Sequence, residues 1–323
     1  PQKNFDELNS LLKKVLHLQR SNFLSYSQNL TTSLIFSLQP ILEKNLEYSI
    51  YISTHEIKWF KTLFDIGELP IRETTYPNYV KQKSVPFLKK EVHFFDPETE
   101  LEHIEKITNS KPVVIILSHV SRITGQKFVT ESLYKKIKKM HPQNILIVDG
   151  SQSVGAMQVF PEKVSDVYLG VTSKFINAEP HIGFCYVSSF LQKKYQIDNW
   201  TLDPISYSRE IYSALFNIKK LVFDSKKIKA KQLLLEHSLK ERGLVISRAK
   251  NQVPYITIIL WQGNLEEVVN QISKRNIAVF HNQKYSILEP KKSGIRVSFT
   301  TQTKDSEIKK LVSILGQIKK SRT

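Results

Sequence analysis

Cysteine is all but missing: Cys185 is the only one in 323 residues. A lone cysteine excludes an intramolecular disulfide and a cysteine-built metal cluster, and no metal site is expected. Cys185 lies inside an apolar run, where a thiol packs as a small hydrophobe. Glycine is scarce too, with 10 residues and none between Thr201 and Ser206. No apolar run is long enough to cross a bilayer. No signal-peptide pattern opens the chain, so the expectation is a cytoplasmic protein without a membrane partner. Internal repeats and low-complexity tracts are absent. So are RNP-like motifs, zinc fingers and basic-aromatic ladders, which removes the usual signatures of nucleic-acid binding.

The length suits one large or two modest domains, and an apolar fraction of 41% suffices for a core. Against 30 acidic residues stand 47 basic ones, a net charge of +17. The lysines are spread over helical stretches: Lys135 to Lys139, Lys226 to Lys231, Lys309 to Lys320. That distribution describes a solvated surface better than a nucleic-acid footprint, so no nucleic-acid partner is expected. A positive field also suits an anionic cofactor and substrate.

Phe5 to Arg20 has leucines at helical spacing, and Thr32 to Asn45 reads as a helix despite Pro40. Tyr48 to Ile52, Val92 to Phe95 and Pro112 to Leu117 read as strands. Ser53 opens a helix through Leu63, and Pro97 to Thr108 and Glu131 to Met140 read as further helices. Alternating strands and helices predict βαβ units around a mostly parallel sheet. Beyond Val187 the pattern changes. Ser189 to Asp203 is polar and irregular. Helices over 211–223, 228–242, 265–275 and 306–318 then mix with strands over 255–261, 277–280 and 295–299. The expected division is a large domain over 22–205 and a smaller α+β domain over 206–323, with the N-terminal helix 1–21 attached to the latter.

Residues 144–187 organise the rest. The strand from Ile145 ends on Asp149, and the strand from Val167 ends on Thr172, Ser173 and Lys174. A third strand, Gly183 to Val187, follows. An acid and a lysine are thereby placed at the carboxyl edge of a sheet, where ligands sit in α/β folds. Pyridoxal phosphate needs this pair: a lysine amine for its Schiff base and a carboxylate beside its pyridine nitrogen. The alternative is a buried strand-end acid and one more surface lysine.

The order Asp149, Gln152, Asp166, Lys174 resembles the class V aminotransferase family, which includes cysteine desulfurases and kynureninase. Thr124-Gly125-Gln126 matches that family's Thr-Gly turn, and Lys174-Phe175-Ile176-Asn177 resembles a kynureninase Lys-Tyr-Leu-Asn segment. The resemblance implies an aspartate-aminotransferase-like (fold type I) enzyme. Its cofactor would be pyridoxal 5'-phosphate, its substrate an amino acid, and its form a homodimer. Lys174 and Asp149 would be catalytic.

The resemblance also implies the other roles. Ser53-Thr54-His55-Glu56 stands where the family has a Gly-Thr-Thr-Glu phosphate loop, so Thr54 and His55 are phosphate candidates; the alternative is an ordinary capped helix. Tyr76 stands where the family stacks a ring on the pyridine. Gln152, Thr172 and Ser173 complete the cofactor set. Gly294-Ile295-Arg296-Val297-Ser298 resembles the segment whose arginine grips the substrate carboxylate. Arg122 replaces an Asn that touches cofactor or substrate, and points either into the site or to solvent. Asn177 is a further substrate candidate, while His119 reads as a packed polar residue. Desulfurases need a cysteine shortly before the carboxylate-binding arginine, and residues 281–295 contain none. The expected chemistry is therefore that of a lyase or aminotransferase. The alternative is a non-catalytic member that keeps the fold as a binding or assembly subunit.

Overall fold

Five-residue apolar runs with no polar alternation must be covered on both faces, and the computed structural model covers them. It describes residues 1–19, 21–44, 48–56, 92–101, 111–197, 200–282 and 293–321. Among the described residues the large sheet has seven strands. They are β1 (Leu24–Ser27), β2 (Ser49–Ser53), β3 (Val92–Phe95), β4 (Val113–Ser118), β5 (Ile145–Asp149), β6 (Val167–Val171) and β7 (Gly183–Val187). Their spatial order is β1-β7-β6-β5-β4-β2-β3. The strands from β3 to β6 run parallel, and β7 and β1 close one side antiparallel.

Side chains alternate between two apolar layers. Ile115, Leu117, Leu146 and Val148 face one layer; Val114, Ile116, Ile145 and Ile147 face the other. Helix α1 (Gln2–Val15) and α3 (Glu131–Met140) cover the first, and α2 (Leu30–Lys44) covers the second. Thr130 caps α3, its hydroxyl accepting the Leu133 N–H at 3.2 Å, and Lys138 and Lys139 suit its carboxyl end. Pro40 lies inside α2 without ending it.

After the short α4 (Pro161–Val164) and α5 (Ser189–Tyr195), the chain forms α6 (Ser208–Lys219) and α7 (Ser225–Lys240). The second sheet, ordered β10-β11-β9-β8, is antiparallel. It consists of β8 (Ile246–Ser247), β9 (Ile256–Leu260), β10 (Phe280–His281) and β11 (Gly294–Ser298). With α7, α8 (Leu265–Ser273) and α9 (Asp305–Lys320) it encloses its own apolar cluster. A fourth cluster joins Val120, Ala156 and Phe175 of the large sheet's loops to Ile228, Tyr255 and Ile256.

The expected α/β architecture with a smaller α+β unit is present. Differences lie at the seams. Phe5, Leu8 and Leu12 of α1 and Ile211, Leu215 and Ile218 of α6 are buried in the large sheet's cluster. Both helices therefore pack with the large sheet, and the smaller unit has its own core only from α7 onward. Residues 189–195 form a helix capped by Ser188 where irregular chain was expected. Residues 277–280 contribute only Phe280 to a strand. The expected helix of 57–63 and most of that over 97–108 lie outside the described residues, as does Tyr76. No helix among the described residues is long and apolar enough to cross a membrane.

Candidate active site

The parallel strands deliver polar residues to one edge. Asp149 ends β5 and pairs in register with Ser118, the last residue of β4. It is 5% exposed, and its Oδ1 accepts the Ser151 N–H at 2.8 Å. Burial raises its pKa above the ordinary carboxylate value; the Ser151 hydrogen bonds and the charges of Arg122 and Lys174 oppose that rise. Gly150 follows because the Tyr168 ring crosses the backbone there: a Cβ would lie 2.1 Å from its Cε1. The Tyr168 hydroxyl meets His119 Nδ1 at 2.8 Å, and the His119 N–H donates to the Asp149 carbonyl at 2.8 Å. His119 is buried with Nε2 unpartnered among the described residues. Burial first, then Lys127, pushes its pKa down to about 3, so the ring is neutral.

Lys174 sits on the turn between β6 and β7. Thr172 closes that turn: its N–H donates to the Ile182 carbonyl, and its Oγ1 accepts the Ile182 N–H, both at 3.0 Å. Asn177 reverses the chain at φ 58° and donates its N–H to the Lys174 carbonyl at 3.1 Å. Asn tolerates that left-handed conformation. Lys174 keeps access to solvent, yet its amine pKa is lowered by burial first, then by Arg122 and Arg296; Asp149 and Glu179 resist. Lys174 and Asn177 line a cavity of 440 Å³ that also touches Phe299 and Thr300 of the smaller unit.

Arg296 lies on β11 and reaches across to the large sheet's loops, donating to Gln152 Oε1 at 2.6 Å. Its Nε is buried without a partner among the described residues. Burial and then Arg122 lower the guanidinium pKa to about 10. Arg122 lies close enough to act on Asp149, Lys174, Arg296 and Glu56 alike. Its side chain is half-buried. Its loop is built on Ser121, whose Oγ accepts the Ile123 and Thr124 N–H groups at 3.0 Å. With both lone pairs engaged, that hydroxyl donates to His55 Nδ1 at 2.8 Å. His55 Nε2 then carries the proton and acts as a donor, facing Asp96 at 3.9 Å.

Among the expected site residues, Asp149, Gln152, Lys174, Arg122 and Arg296 come together. Thr54 and His55 are buried at the end of β2 on the same edge. Asn177 shares the cavity with Lys174. Thr172 spends its hydroxyl on the turn and holds Lys174 in place. Ser173 is half-buried beside Lys174. The sequence reading passed over Glu56, the neighbour position of His119 to Asp149, and Tyr168. Strand-end location was the available signal for His119.

The class-V aminotransferase family model matches residues 89–201. Among solved structures, a NifS-like protein is 14% identical, with a TM-score of 0.78 over 99% of this chain and 88% of its own. A cysteine desulfurase from Escherichia coli is 12% identical, with a TM-score of 0.75 over 99% of this chain and 84% of its own. An alanine–glyoxylate aminotransferase from Nostoc sp. is 16% identical, with a TM-score of 0.73 over 98% of this chain and 86% of its own. No curated protein sequence matches the chain. The fold is the aspartate-aminotransferase-like α/β fold. Asp149, Gln152 and Lys174 lie within the segment that matches the class-V aminotransferase model.

The residues present fit pyridoxal phosphate. A buried carboxylate suits a pyridinium, and a depressed amine suits a Schiff base.

Proposed function

We propose that the protein is a pyridoxal-phosphate-dependent enzyme of class-V type that acts on an amino acid as a lyase or aminotransferase. The observation that carries this reading is the placement of Lys174, on the turn after β6, near enough to the buried Asp149 at the end of β5 for the two charges to act on each other. When bound, the cofactor supplies an electron-withdrawing ring that stabilises negative charge at the substrate's α-carbon. Asp149 would hold the pyridine nitrogen protonated. Thr54, His55 and Ser173 would hold the phosphate, and Gln152 would flank the ring. Lys174, whose neutral form is favoured by its surroundings, takes and returns the α-proton. Arg296, with its buried Nε unpartnered among the described residues, takes the substrate α-carboxylate, and Gln152 orients it across the domain seam. Arg122 and Asn177 complete the substrate side.

Cysteine-dependent desulfurization does not fit. Cys185 is fully buried in β7, and burial raises its thiol pKa, which disfavours a thiolate. The protein would work in the cytoplasm as a homodimer, with no nucleic-acid or membrane partner. The test is the purified chain with added pyridoxal phosphate. A yellow complex should form, and borohydride reduction followed by mass spectrometry should place the cofactor on Lys174. No uptake would favour a non-catalytic binding subunit, and an adduct on another lysine would remove Lys174 from the role. A screen of amino-acid substrates then separates lyase from aminotransferase.

A further inference from the structure

Glu56 follows the end of β2 and has no use in the chemistry above, yet it is sealed into the site's edge at 0% exposure. One carboxyl oxygen accepts the Ser118 hydroxyl at 2.7 Å. The other is buried and meets no donor among the described residues. An ionised oxygen in that position would lose its hydration with nothing in return, whereas a protonated one carries no charge to solvate. Ser118 is the residue registered against Asp149, so its hydroxyl tethers Glu56 beside that strand position. Two buried carboxyls so close do not both ionise readily.

The groups facing the pair decide which one does. Asp149 accepts the Ser151 N–H and feels both Arg122 and Lys174. Glu56 has the Ser118 hydroxyl and Arg122 in its favour, with Asp149 against it. His55, next in the chain, is engaged with Ser121, and His119 on the following strand end is neutral.

We propose that Glu56 is a positioning residue, held as a neutral carboxylic acid beside Asp149, so that the pair carries one negative charge and Asp149 displays it. The purpose of that charge, pairing with a pyridinium, rests on the pyridoxal-phosphate reading; the protonation state of Glu56 belongs to the chain alone. Burial first, and then Asp149, lift the Glu56 pKa from 4.5 to about 8. The folded chain therefore binds more protons than the unfolded chain between those values. Its stability falls as pH rises through that window, and this contribution levels off above it.

The experiment compares the full-length wild type with Glu56→Gln, without added cofactor. Infrared spectra should show a protonated-carboxyl band in the wild type that bleaches near pH 8 and is missing from Glu56→Gln. The denaturation midpoint of the wild type should fall relative to Glu56→Gln between about pH 5 and pH 8. If Glu56→Gln does not fold, Asp149→Asn serves instead: loss of the like charge should move the bleaching to lower pH. A wild type without such a band, or a midpoint gap independent of pH, overturns the inference. Pyridoxal-phosphate uptake, followed separately by absorbance, keeps the two readings apart. A titrating band without uptake sinks the cofactor reading alone, and uptake without the band sinks Glu56 alone.

Discussion

Single residues set the sign of charge at this site. Three cationic groups, Lys174, Arg122 and Arg296, act on one another, and both arginines lower the lysine's pKa. Arg122→Ala removes one positive neighbour, so protonating Lys174 becomes easier and its pKa rises. The alkaline limb of the lysine–cofactor absorbance should then move to higher pH, and an unmoved limb would separate Arg122 from Lys174. The same arginine gives the site a second anion-binding group. Arg122→Ala should weaken acidic amino acids more than neutral ones, as steady-state kinetics on such a pair would reveal; equal losses would show that it does not read the side chain. Arg296→Ala should weaken every amino-acid substrate by about 2–5 kcal/mol, the usual loss from a buried charged pair, while cofactor uptake persists. If amino-acid affinity were untouched, the carboxylate site would lie elsewhere. Asp149 and Arg296 were legible because each ends or sits in a strand recognisable from its own residues, and Lys174 because it follows such a strand on the turn. Glu56 was not, because its environment comes from Ser118 and Asp149, 62 and 93 positions away, and only the strand register brings them together.

At the scale of elements, the turn after β6 and the crossing at the end of β5 hold the lysine and the acid. Thr172 is 0% exposed and supplies the acceptor for the Ile182 N–H. Thr172→Val leaves that N–H unpaired and should cost about 1–3 kcal/mol, with Thr172→Ser much milder; denaturation midpoints test both. Gly150→Ala drives a methyl into the Tyr168 ring. It should cost about 1–3 kcal/mol as an overpacked contact, and the ring's displacement should disturb the His119 contact beside Asp149. A neutral effect on stability would mean that the ring yields freely. The strands β3, β6 and β7 and helix α3 have the bounds expected from sequence, since short, mostly apolar runs and a capped amphipathic stretch carry their own signal. The four-residue β1 and the seven-residue α5 do not. Their formation depends on β7 and on the second apolar layer, which a local pattern does not contain. The same reason misplaced α1 and α6: an amphipathic stripe says that a helix packs, and not against which sheet.

At the scale of the whole molecule, the buried seam joins the two units through Phe175, Tyr255 and Ile256, and the Arg296–Gln152 bond crosses it. On α6, Tyr212 and Phe216 stack with ring centroids 6.3 Å apart, Lys220 lies over the Phe216 ring, and Val222 and Phe223 follow, all four apolar side chains exposed. Exposed rings of this kind suit a protein contact, and the homodimer proposed above would need one. Replacing both Tyr212 and Phe216 by Glu should shift sedimentation from dimer toward monomer, with the fold retained by circular dichroism. The net charge of +17 adds a second expectation with a definite sign. Two copies repel at low ionic strength, and salt screens that repulsion over a Debye length of about 10 Å at 0.1 M. Association driven by the apolar face should therefore strengthen as salt rises, and the double variant should lose that salt response along with the dimer. A wild type that sediments as a monomer at every salt concentration would rule out the homodimer. A dimer insensitive to the double substitution would place the contact on another face.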